Sequence, residues 1–468
     1  MAKIKNEKVN DEASNGMEKI VSLCKRRGFV FQGSEIYGGM AGLYDFGPYG
    51  VELLNNLKTE WWKAHTQLRD DYVGIDSAMF KDPRVWEASG HVGGFSDPLA
   101  ECKKCNTRIR VDKELKNIGV NADEKMPEAE LQALFEENKN KISCPKCGSH
   151  DFSAARSFNL LVKSNLGDFT GEGKNLVYLP GEACQGIYLN FKNVVDSTRM
   201  QIPFGIAQIG KAFRNEISPR NFLFRTRELE QADTQYFVRP NENKDAYEKI
   251  KNDRFNWYTS LGIKPENLRF VQHENLVFYA KDAWDIEYNF PTGFDEMEGI
   301  HDRSDYDLNQ HMKFSGTDLR YTDPMSGEKY IPWILETSVG MGRMFLAFLS
   351  DAYSEEVKEE DTRVFLKLSP KLAPVKAAIF PLLRNKPDLV NKAREVYDTL
   401  KKEFKCEFDD NGNIGKRYRR QDEIGTPWCI VVDFDTLENN TVTVRDRDTG
   451  TQERIEVSDL FKYIKDRI

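Results

Sequence analysis

The chain has 468 residues, of which 40% are hydrophobic and 30% are charged, and its formal net charge is −8. This composition is that of a globular protein of about three domains, and no apolar run is long enough to span a membrane. The acidic balance gives no overall sign of nucleic-acid binding but does not exclude it, since binding depends on local patches. The polar N-terminus lacks the apolar core of a signal peptide, so residues 1–16 are predicted to be a disordered leader of a cytoplasmic protein.

The first part of the chain combines a helical pattern with glycine-rich turns. Apolar residues at helical spacing predict an amphipathic helix from Val51 to Leu68. The glycines and proline of GGMAGLYDFGPYG, just before it, are typical of a tight loop. Residues 101–150 differ in composition and carry two Cys-x-x-Cys pairs, so they predict a small inserted module.

The middle of the chain is rich in strand patterns. LVYL, GIYLNF and FGIAQIGKAF predict strands between residues 158 and 237, and a second strand-rich stretch runs from Trp284 to Leu349. Between them, residues 245–261 have helical spacing. The acidic residues 351–363 are predicted to be a linker. Residues 364–468 alternate short strands with helices, which predicts a small α/β domain.

The two cysteine pairs are the first chemical signal, and they consist of Cys102, Cys105, Cys144 and Cys147. Four thiolates in two tight pairs suit tetrahedral zinc, and they leave no open position for catalysis. The alternatives are unmetallated or redox-active thiols. A redox Cys-x-x-Cys pair is expected in a βαβ setting, which the pattern here lacks. The spacing therefore favours structural zinc.

Two arginine-bearing segments form the second signal. Arg214 ends an apolar strand, and a polar loop leads to a returning strand that carries Arg225 and Arg227; arginines on such a hairpin can clamp a polyphosphate. Further on, Gly340 and its neighbours lead from a strand into a helix that begins with Arg343, and glycines together with a helix N-terminus favour phosphate. Each segment alone is a weak signal, because an isolated arginine is usually in a surface ion pair.

Four carboxylates form the third signal: Glu182, Asp233, Glu296 and Glu336. A solvated surface charge is the usual explanation for any one of them. Glu182, Asp233 and Glu336 nevertheless lie in or beside apolar strands, where carboxylates are unusual unless they are paired.

Together these segments resemble the three signature motifs of class II aminoacyl-tRNA synthetases, specifically the homodimeric glycyl type. The resemblance covers nearly the whole chain from Met17. Its most specific stretches are VWEASGHVGGFSDPL, GIAQIGKAFRNEISPRNFLFR and GNIGKRYRRQDEIGTP. It implies an α+β fold, in which a catalytic domain of residues 17–100 and 151–350 holds an antiparallel sheet flanked by helices. A zinc-type insertion at 101–150 and an anticodon-binding domain at 364–468 would complete it.

The resemblance also implies an activity and its site. The enzyme would be a homodimer that activates glycine with ATP and Mg²⁺ and transfers it to tRNA, with Arg214 and Arg343 as catalytic residues. ATP would be bound by Arg214, Asn215, Glu216, Phe224, Arg225, Thr226, Arg227, Glu228, Leu229, Glu296, Met297, Gly340, Met341, Gly342 and Arg343. Glycine would be bound by Arg110, Glu182, Leu229, Glu230, Gln231, Ala232, Asp233, Arg303, Glu336, Thr337, Ser338, Val339 and Gly340.

The residues suit this chemistry. Glycine offers only an ammonium and a carboxylate, so its pocket must surround the ammonium with carboxylates, and larger amino acids are excluded sterically. Displacement at phosphorus needs positioning and positive charge, so no covalent residue is expected. Three departures from the family pattern alter fine contacts: Pro180 replaces an arginine, Leu229 an aromatic residue, and Asp233 a glutamate.

The basic run Lys416, Arg417, Tyr418, Arg419 and Arg420 is predicted to contact tRNA. The cations could hold phosphates and Tyr418 could stack on a base. The alternative is a solvated loop. For the whole chain, two other interpretations remain open: a class II synthetase for threonine, proline or histidine, and a non-catalytic binding protein on the same fold. Such binding proteins typically lose the motif arginines, and Arg214 and Arg343 are both present.

Overall fold

The computed structural model describes residues 16–122, 126–167, 175–217, 219, 221–273, 276, 280–358 and 361–468. The predicted leader lies almost wholly outside them. The described strands are β1 Val30–Gln32, β2 Tyr44–Phe46, β3 Tyr72–Gly74, β4 Ser96–Glu101, β5 Arg108–Arg110, β6 Arg156–Asn159, β7 Lys163–Asn165, β8 Leu176–Tyr178, β9 Phe204–Phe213, β10 Glu228–Val238, β11 Leu268–Gln272, β12 Asp282–Phe290, β13 Gly293–Ser304, β14 Tyr321–Thr322, β15 Lys329–Tyr330, β16 Trp333–Gly340, β17 Tyr353–Lys358, β18 Asp361–Leu366, β19 Ala377–Pro381, β20 Cys406–Phe408, β21 Trp428–Val432, β22 Thr441–Asp446 and β23 Gln452–Glu456.

The helices connect and cover these strands. They are α1 16–27, α2 Pro48–Trp62, α3 Pro83–Ala88, α4 His91–Gly94, α5 Val111–Asn117, α6 Glu128–Asn138, α7 Gln185–Thr198, α8 Lys244–Ser260, α9 Tyr306–Ser315, α10 Met341–Ala352, α11 Pro387–Leu400, α12 Ile414–Ile424, α13 Phe434–Asn439 and α14 Leu460–Lys465. A π-helical turn, Lys63–Gln67, extends α2. Within the described ranges, each helix is too short or too polar to cross a bilayer.

A seven-stranded sheet forms the centre of the larger, N-terminal part of the protein, in the order β11-β12-β13-β16-β10-β9-β3. All neighbours in it are antiparallel except β3, which runs parallel to β9 at one edge. Helices α2, α8 and α10 cover one face through a large apolar core, and α7 and α9 pack on the other face. The predicted antiparallel sheet flanked by helices is confirmed.

Side chains alternate between these two faces along each strand. Ala232, Leu335 and Val339 point into the core beneath α2, α8 and α10, which we call the back face. Their strand neighbours Asp233 and Glu336 point to the side of α7, the front face. One predicted strand was wrong: GIYLNF lies within α7, where Ile187, Tyr188 and Phe191 recur at helical spacing and are buried. Its aromatic and β-branched content suggested a strand, but the 3.6-residue period decided the structure.

The cysteine-bearing insertion has its own small core and a sheet in the order β5-β4-β6. This sheet reaches from Ser96 to Asn159, so the unit extends beyond the predicted limits 101–150 on both sides. The predicted linker at 351–363 is also different: β17 and β18 pair there as an antiparallel hairpin. Backbone groups of the two strands bond to one another, so residues 353–358 and 361–366 have regular structure where a linker was predicted.

The C-terminal part is the predicted α/β domain, with a sheet in the order β20-β19-β21-β22-β23. It is joined to the N-terminal part by buried contacts. Ile424 of α12 and Leu366 belong to the same apolar core as α2 and α10. Two arginines of α1, Arg26 and Arg27, donate to Glu423, at 3.0 and 2.6 Å.

Candidate active site

Two arginines converge on the front of the sheet. Arg214 directly follows β9, and Arg343 lies in the first turn of α10. Nη1 of Arg343 is 3.0 Å from Oε1 of Glu296 on β13. The charge of Arg343 lowers the pKa of Glu296, and Arg214 contributes in the same direction. Glu296 is thus a carboxylate that responds to both guanidinium groups, which supports a common site for them.

Each of these guanidinium groups is oriented by a carbonyl and a ring. Arg214 donates from Nε to the carbonyl of Gly181 at 3.1 Å, and its Cζ lies 5.3 Å from the ring centroid of Phe95. Arg343 donates from Nε to the carbonyl of Phe224 at 3.1 Å and lies 4.4 Å from that ring. Such contacts preorganise a charge before a ligand arrives.

The loop between β9 and β10 is held by a network around buried Glu216. Arg225 donates from Nε to Oε2 of Glu216 at 2.7 Å, and Arg227 donates from Nε to its carbonyl at 2.8 Å. The other predicted ATP contacts on this loop make local bonds. Thr226 donates to the carbonyl of Glu228, whose carboxylate accepts from Lys211.

Three carboxylates form a pocket beside the arginines. Glu182 precedes α7, Asp233 lies on β10 and Glu336 lies on β16. The charges of Glu336 and Glu182 raise the pKa of Asp233, and the charge of Glu182 raises the pKa of Glu336. Asp233 faces Ser338 in the pairing of β10 with β16. Half-buried Leu229 and buried Gln231 lie on the same side of β10 as Asp233. The pocket is thus lined by acidic side chains.

Glu336 and Glu182 are kept ionised by cationic neighbours. Burial alone would raise the pKa of Glu336, but Arg303 and His301 lower it to about 2; they donate to Oε2 at 3.0 and 2.9 Å. Burial likewise opposes ionisation of Glu182, yet His91 and Arg303 lower its pKa well below the usual range. Two fixed negative charges therefore remain in the pocket at neutral pH.

Asp233 behaves in the opposite way. It is 1% exposed, and its Oδ1 atom has no hydrogen-bond partner among the described residues. Burial raises its pKa well above the usual range, and the charges of Glu336 and Glu182 add to this effect. An unsatisfied buried carboxylate between two others is stabilised by a cationic guest with hydrogen-bond donors.

Strand parity corrects part of the predicted glycine site. Ala232, Thr337 and Val339 are buried on the back face, where the hydroxyl of Thr337 lies 2.9 Å from that of Thr234. Glu230 has the same parity and pairs with Lys58 of α2 at 2.6 Å. Their side chains therefore point away from the pocket. Met297 and Met341, predicted to bind ATP, are likewise buried in the back-face core.

Two predicted glycine contacts are arginines that the structure ties to carboxylates. Arg303 is 4% exposed and makes two bonds to Asp307, at 2.7 and 2.8 Å, besides its bond to Glu336. Arg110 binds Asp112 and Asp97 on the cysteine-bearing insertion. Arg303 therefore holds Glu336 in position through their hydrogen bond. Arg110 lies near Arg225, since both contact Asp97.

Several site residues escaped prediction. His301 and His91 contact Glu336 and Glu182, and Gln185 donates to Glu182 at 2.7 Å. Asp97 lies 3.9 Å from Arg225. His91 and Asp97 both belong to VWEASGHVGGFSDPL, one of the stretches that carry the family resemblance. Polar residues among its apolar ones could have marked them as candidate site residues.

The four cysteines of the insertion form one cluster. Their sulfur atoms all lie within 4.8 Å of one another, with 3.6 Å between Cys102 and Cys147 and 3.5 Å between Cys105 and Cys144. Tetrahedral Zn–S bonds of about 2.3 Å would put sulfur atoms ~3.8 Å apart. The Thr107 hydroxyl, 3.2 Å from Cys105, lowers the pKa of that thiol to about 6, which favours the thiolate form that binds metal. The geometry can hold a metal ion.

The basic run of the C-terminal domain is helical rather than a loop, and much of it is engaged. Arg417 is 2% exposed and donates to the carbonyls of Pro381, Asp410 and Gly412. Tyr418 packs edge-on against Phe380 and beneath Arg445. Arg419 pairs with Asp361 and Arg420 with Asp409, while Lys416 is exposed at the start of α12. Neither Arg417 nor Tyr418 is presented for phosphate contact or base stacking.

Comparison with known proteins agrees with this geometry. The family profile described as "tRNA synthetase class II core domain (G, H, P, S and T)" matches residues 168–352, and "Anticodon binding domain" matches residues 376–467. A "Glycine--tRNA ligase" of Clostridium tetani (strain Massachusetts / E88) is 50% identical over 461 residues, which cover 97% of this chain and 98% of the relative. The chain belongs to the glycine–tRNA ligase family.

Other members of the family match equally fully. The "Glycine--tRNA ligase" of Caldanaerobacter subterraneus subsp. tengcongensis is 49% identical over 97% of this chain and 98% of its own length. That of Acetivibrio thermocellus is 50% identical over 97% and 99%. The similarity thus includes the sheet, the cysteine-bearing insertion and the C-terminal domain. It excludes the alternative that the chain is a synthetase of the threonine, proline or histidine type.

Proposed function

We propose that this chain activates glycine with ATP to form glycyl-adenylate and then transfers the glycyl group to tRNA, and that the front-face site carries out both steps. The observation that carries this assignment is the pairing of two preorganised guanidinium groups with an anionic pocket. The arginines suit a polyphosphate, and the carboxylates suit an ammonium. Membership of the glycine–tRNA ligase family identifies glycine as the amino acid and tRNA as its acceptor.

In this proposal the acidic pocket binds the glycine ammonium. Glu182, Asp233 and Glu336 surround the ammonium. The Oδ1 atom of Asp233, which has no hydrogen-bond partner among the described residues, accepts a hydrogen bond from it. Asp233 gives up its own proton when the ammonium binds, because the new positive charge offsets the repulsion from the other two carboxylates. Arg303 and His301 hold Glu336 in place. A longer amino acid would need to displace these buried groups.

The arginines act on ATP. Arg214 withdraws charge from the α-phosphate while the glycine carboxylate attacks it, and Arg343 neutralises the departing pyrophosphate. The new bond joins a carboxylate oxygen of glycine to the α-phosphorus, and the bond to the β-phosphate oxygen breaks. Glu296, beside Arg343, is suited to the Mg²⁺ that accompanies ATP, since carboxylate oxygens are its preferred ligands. No side chain forms a covalent intermediate.

The remaining parts have supporting roles in the proposal. The four cysteines hold zinc, which would staple the insertion without taking part in the reaction. Lys416, Arg419 and Arg420 contact tRNA phosphates from the C-terminal domain, and α2 with β3 contributes to a homodimer. The domain limits follow the predicted division, except that the insertion is taken from Ser96 to Asn159.

Pyrophosphate exchange tests the proposal directly. Purified protein should support ATP–pyrophosphate exchange with glycine and should charge tRNA with glycine. Replacing Arg214 by Ala should reduce exchange by several orders of magnitude, on the order of the effect of removing a principal charge stabiliser. Exchange that depends on another amino acid, or a normal rate in Arg214→Ala, would overturn the assignment.

A further inference from the structure

No residue from His91 to Asp97 acts directly on a substrate in the reaction described above, yet the segment contacts three site residues. His91 lies 3.6 Å from Glu182, the Phe95 ring lies under Arg214, and Asp97 lies 3.9 Å from Arg225. We propose that residues 91–97 form a positioning segment. Asp97 orients the side chain of Arg225 toward ATP, and His91 orients that of Glu182 toward glycine. The proposal rests on the proposed function.

Asp97 is built into the protein as a bridge. It is 5% exposed on β4, where its Oδ1 accepts from Nη1 of Arg110 at 2.6 Å and its Oδ2 faces Nη2 of Arg225. Arg225 in turn donates a hydrogen bond to the carboxylate of Glu216. One carboxylate thus joins the cysteine-bearing insertion to the loop between β9 and β10. Buried ion pairs of this kind fix orientation more than they add stability.

Backbone bonds reinforce this link. The carbonyl of Phe95 accepts from Leu160, and the carbonyl of Leu160 accepts from Asn215, at 2.9 and 2.8 Å. Both ends of the insertion are therefore attached to the residue that follows Arg214. A shift of β4 would move the loop that carries the ATP contacts.

His91 acts at the other end of the segment. Its Nδ1 atom pairs with the hydroxyl of Ser89 at 2.8 Å, which leaves Nε2 directed at Glu182. The ring is wedged between Trp86 and Phe95, with centroid separations of 5.4 and 5.0 Å. His91 and Asp97 touch opposite halves of the site through other residues, so both are positioning residues and not catalytic ones.

A kinetic separation tests the proposal. In ATP–pyrophosphate exchange, Asp97→Asn should raise KM for ATP about tenfold and leave KM for glycine within about twofold, whereas His91→Asn should do the reverse. General loss of structure would change both constants or lower kcat alone. Either of those patterns in both variants would overturn the proposal.

Asp112 supplies the matched control. It is as buried as Asp97 and makes two bonds to the same Arg110, at 2.9 and 2.6 Å, but both of these bonds lie within the insertion itself. Asp112→Asn should leave both KM values within about twofold of the wild type, because the bonds of Asp112 run to Arg110 and not to Arg225. A rise in KM for ATP equal to that of Asp97→Asn would show that loss of the Arg110 partner, and not the contact with Arg225, is responsible.

Asp97→Glu tests the charge separately and guards against misfolding of Asp97→Asn. It keeps the carboxylate and should recover most of the ATP affinity; a KM for ATP as high as in Asp97→Asn would contradict a role for the charge. Measurements on the wild-type protein distinguish failure of the proposed function from failure of the positioning segment. Absence of glycine-dependent exchange in it refutes the proposed function, whereas normal exchange with unaltered KM values in the variants refutes only the positioning segment.

Discussion

Replacing Glu336 by Gln is expected to weaken the use of glycine far more than the use of ATP. Glu336 is 4% exposed, and its neighbours lower its pKa from 4.5 to about 2. That difference corresponds to ~3 kcal/mol of preference for the charged form. Because the side chain is almost completely buried, little of this energy is lost to solvent screening.

The glycine ammonium should lose a comparable share of its attraction. We expect kcat/KM for glycine in pyrophosphate exchange to fall on the order of 10²-fold, while KM for ATP changes by less than about threefold. Gln keeps the shape of the side chain and can still accept from Arg303, so the variant removes the charge with little change in volume. Measurement at several glycine concentrations separates KM from kcat.

Glu298 offers a control on the opposite face of the same sheet. It is 0% exposed and accepts from Arg254 and Tyr258, at 2.8 and 2.5 Å. Glu298→Gln should lower the melting temperature but leave KM for glycine near that of the wild type. If it raised KM for glycine as much as Glu336→Gln, the effect would reflect general damage to the sheet, and the assignment of the pocket would be refuted.

Three further outcomes are expected. KM for glycine should rise as pH falls below neutral, because Asp233, with its raised pKa, must lose its proton before it can accept the ammonium; Asp233→Asn should flatten that dependence, and an unchanged profile would contradict the role of Asp233. Metal analysis should find about one zinc per chain in the wild type. The zinc should be lost in Cys105→Ser, with a lower melting temperature, and retained in Cys406→Ser. Wild-type protein that is reduced, metal-free and of normal stability would refute zinc binding. Lys416→Ala should raise KM for tRNA with little change in stability, whereas Arg417→Ala should lower the melting temperature by removing the donor to three carbonyls, of which that of Pro381 is buried. The reverse pattern would contradict the placement of these two side chains.

Much of the fold followed from local patterns in the sequence. The helix α2, the long strand β9 and the alternation of the C-terminal domain were predicted because hydrophobic period and turn residues agreed there. The segment 186–191 was misassigned because its composition favoured a strand while its spacing favoured a helix. The pairing of residues 353–358 with 361–366 was missed because hydrogen bonds between strand backbones need no apolar pattern.

The candidate site was harder to predict because burial and parity depend on neighbouring strands. The sequence of β10 alternates, so Asp233 and Thr234 had to face opposite sides, but which side held the pocket was set by α7 and α2. The role of His301 depends on its position opposite Glu336 in the pairing of β13 with β16. Arg417 lies in a basic run of the sequence, and only the tertiary structure shows that its buried side chain donates to the carbonyls of Pro381 at the end of β19 and of Asp410 and Gly412.

The alternation of side chains along β10 makes the site sensitive to strand alignment. Sliding β10 by a single residue would present Ala232 and Thr234 to the substrates and would bury a carboxylate among apolar helices. Ten paired residues with β9 and eight with β16 oppose that slip from both flanks. Correct alignment during folding is therefore a condition for activity in itself, and a misaligned molecule could keep its hydrogen-bonded sheet while lacking any affinity for an amino acid.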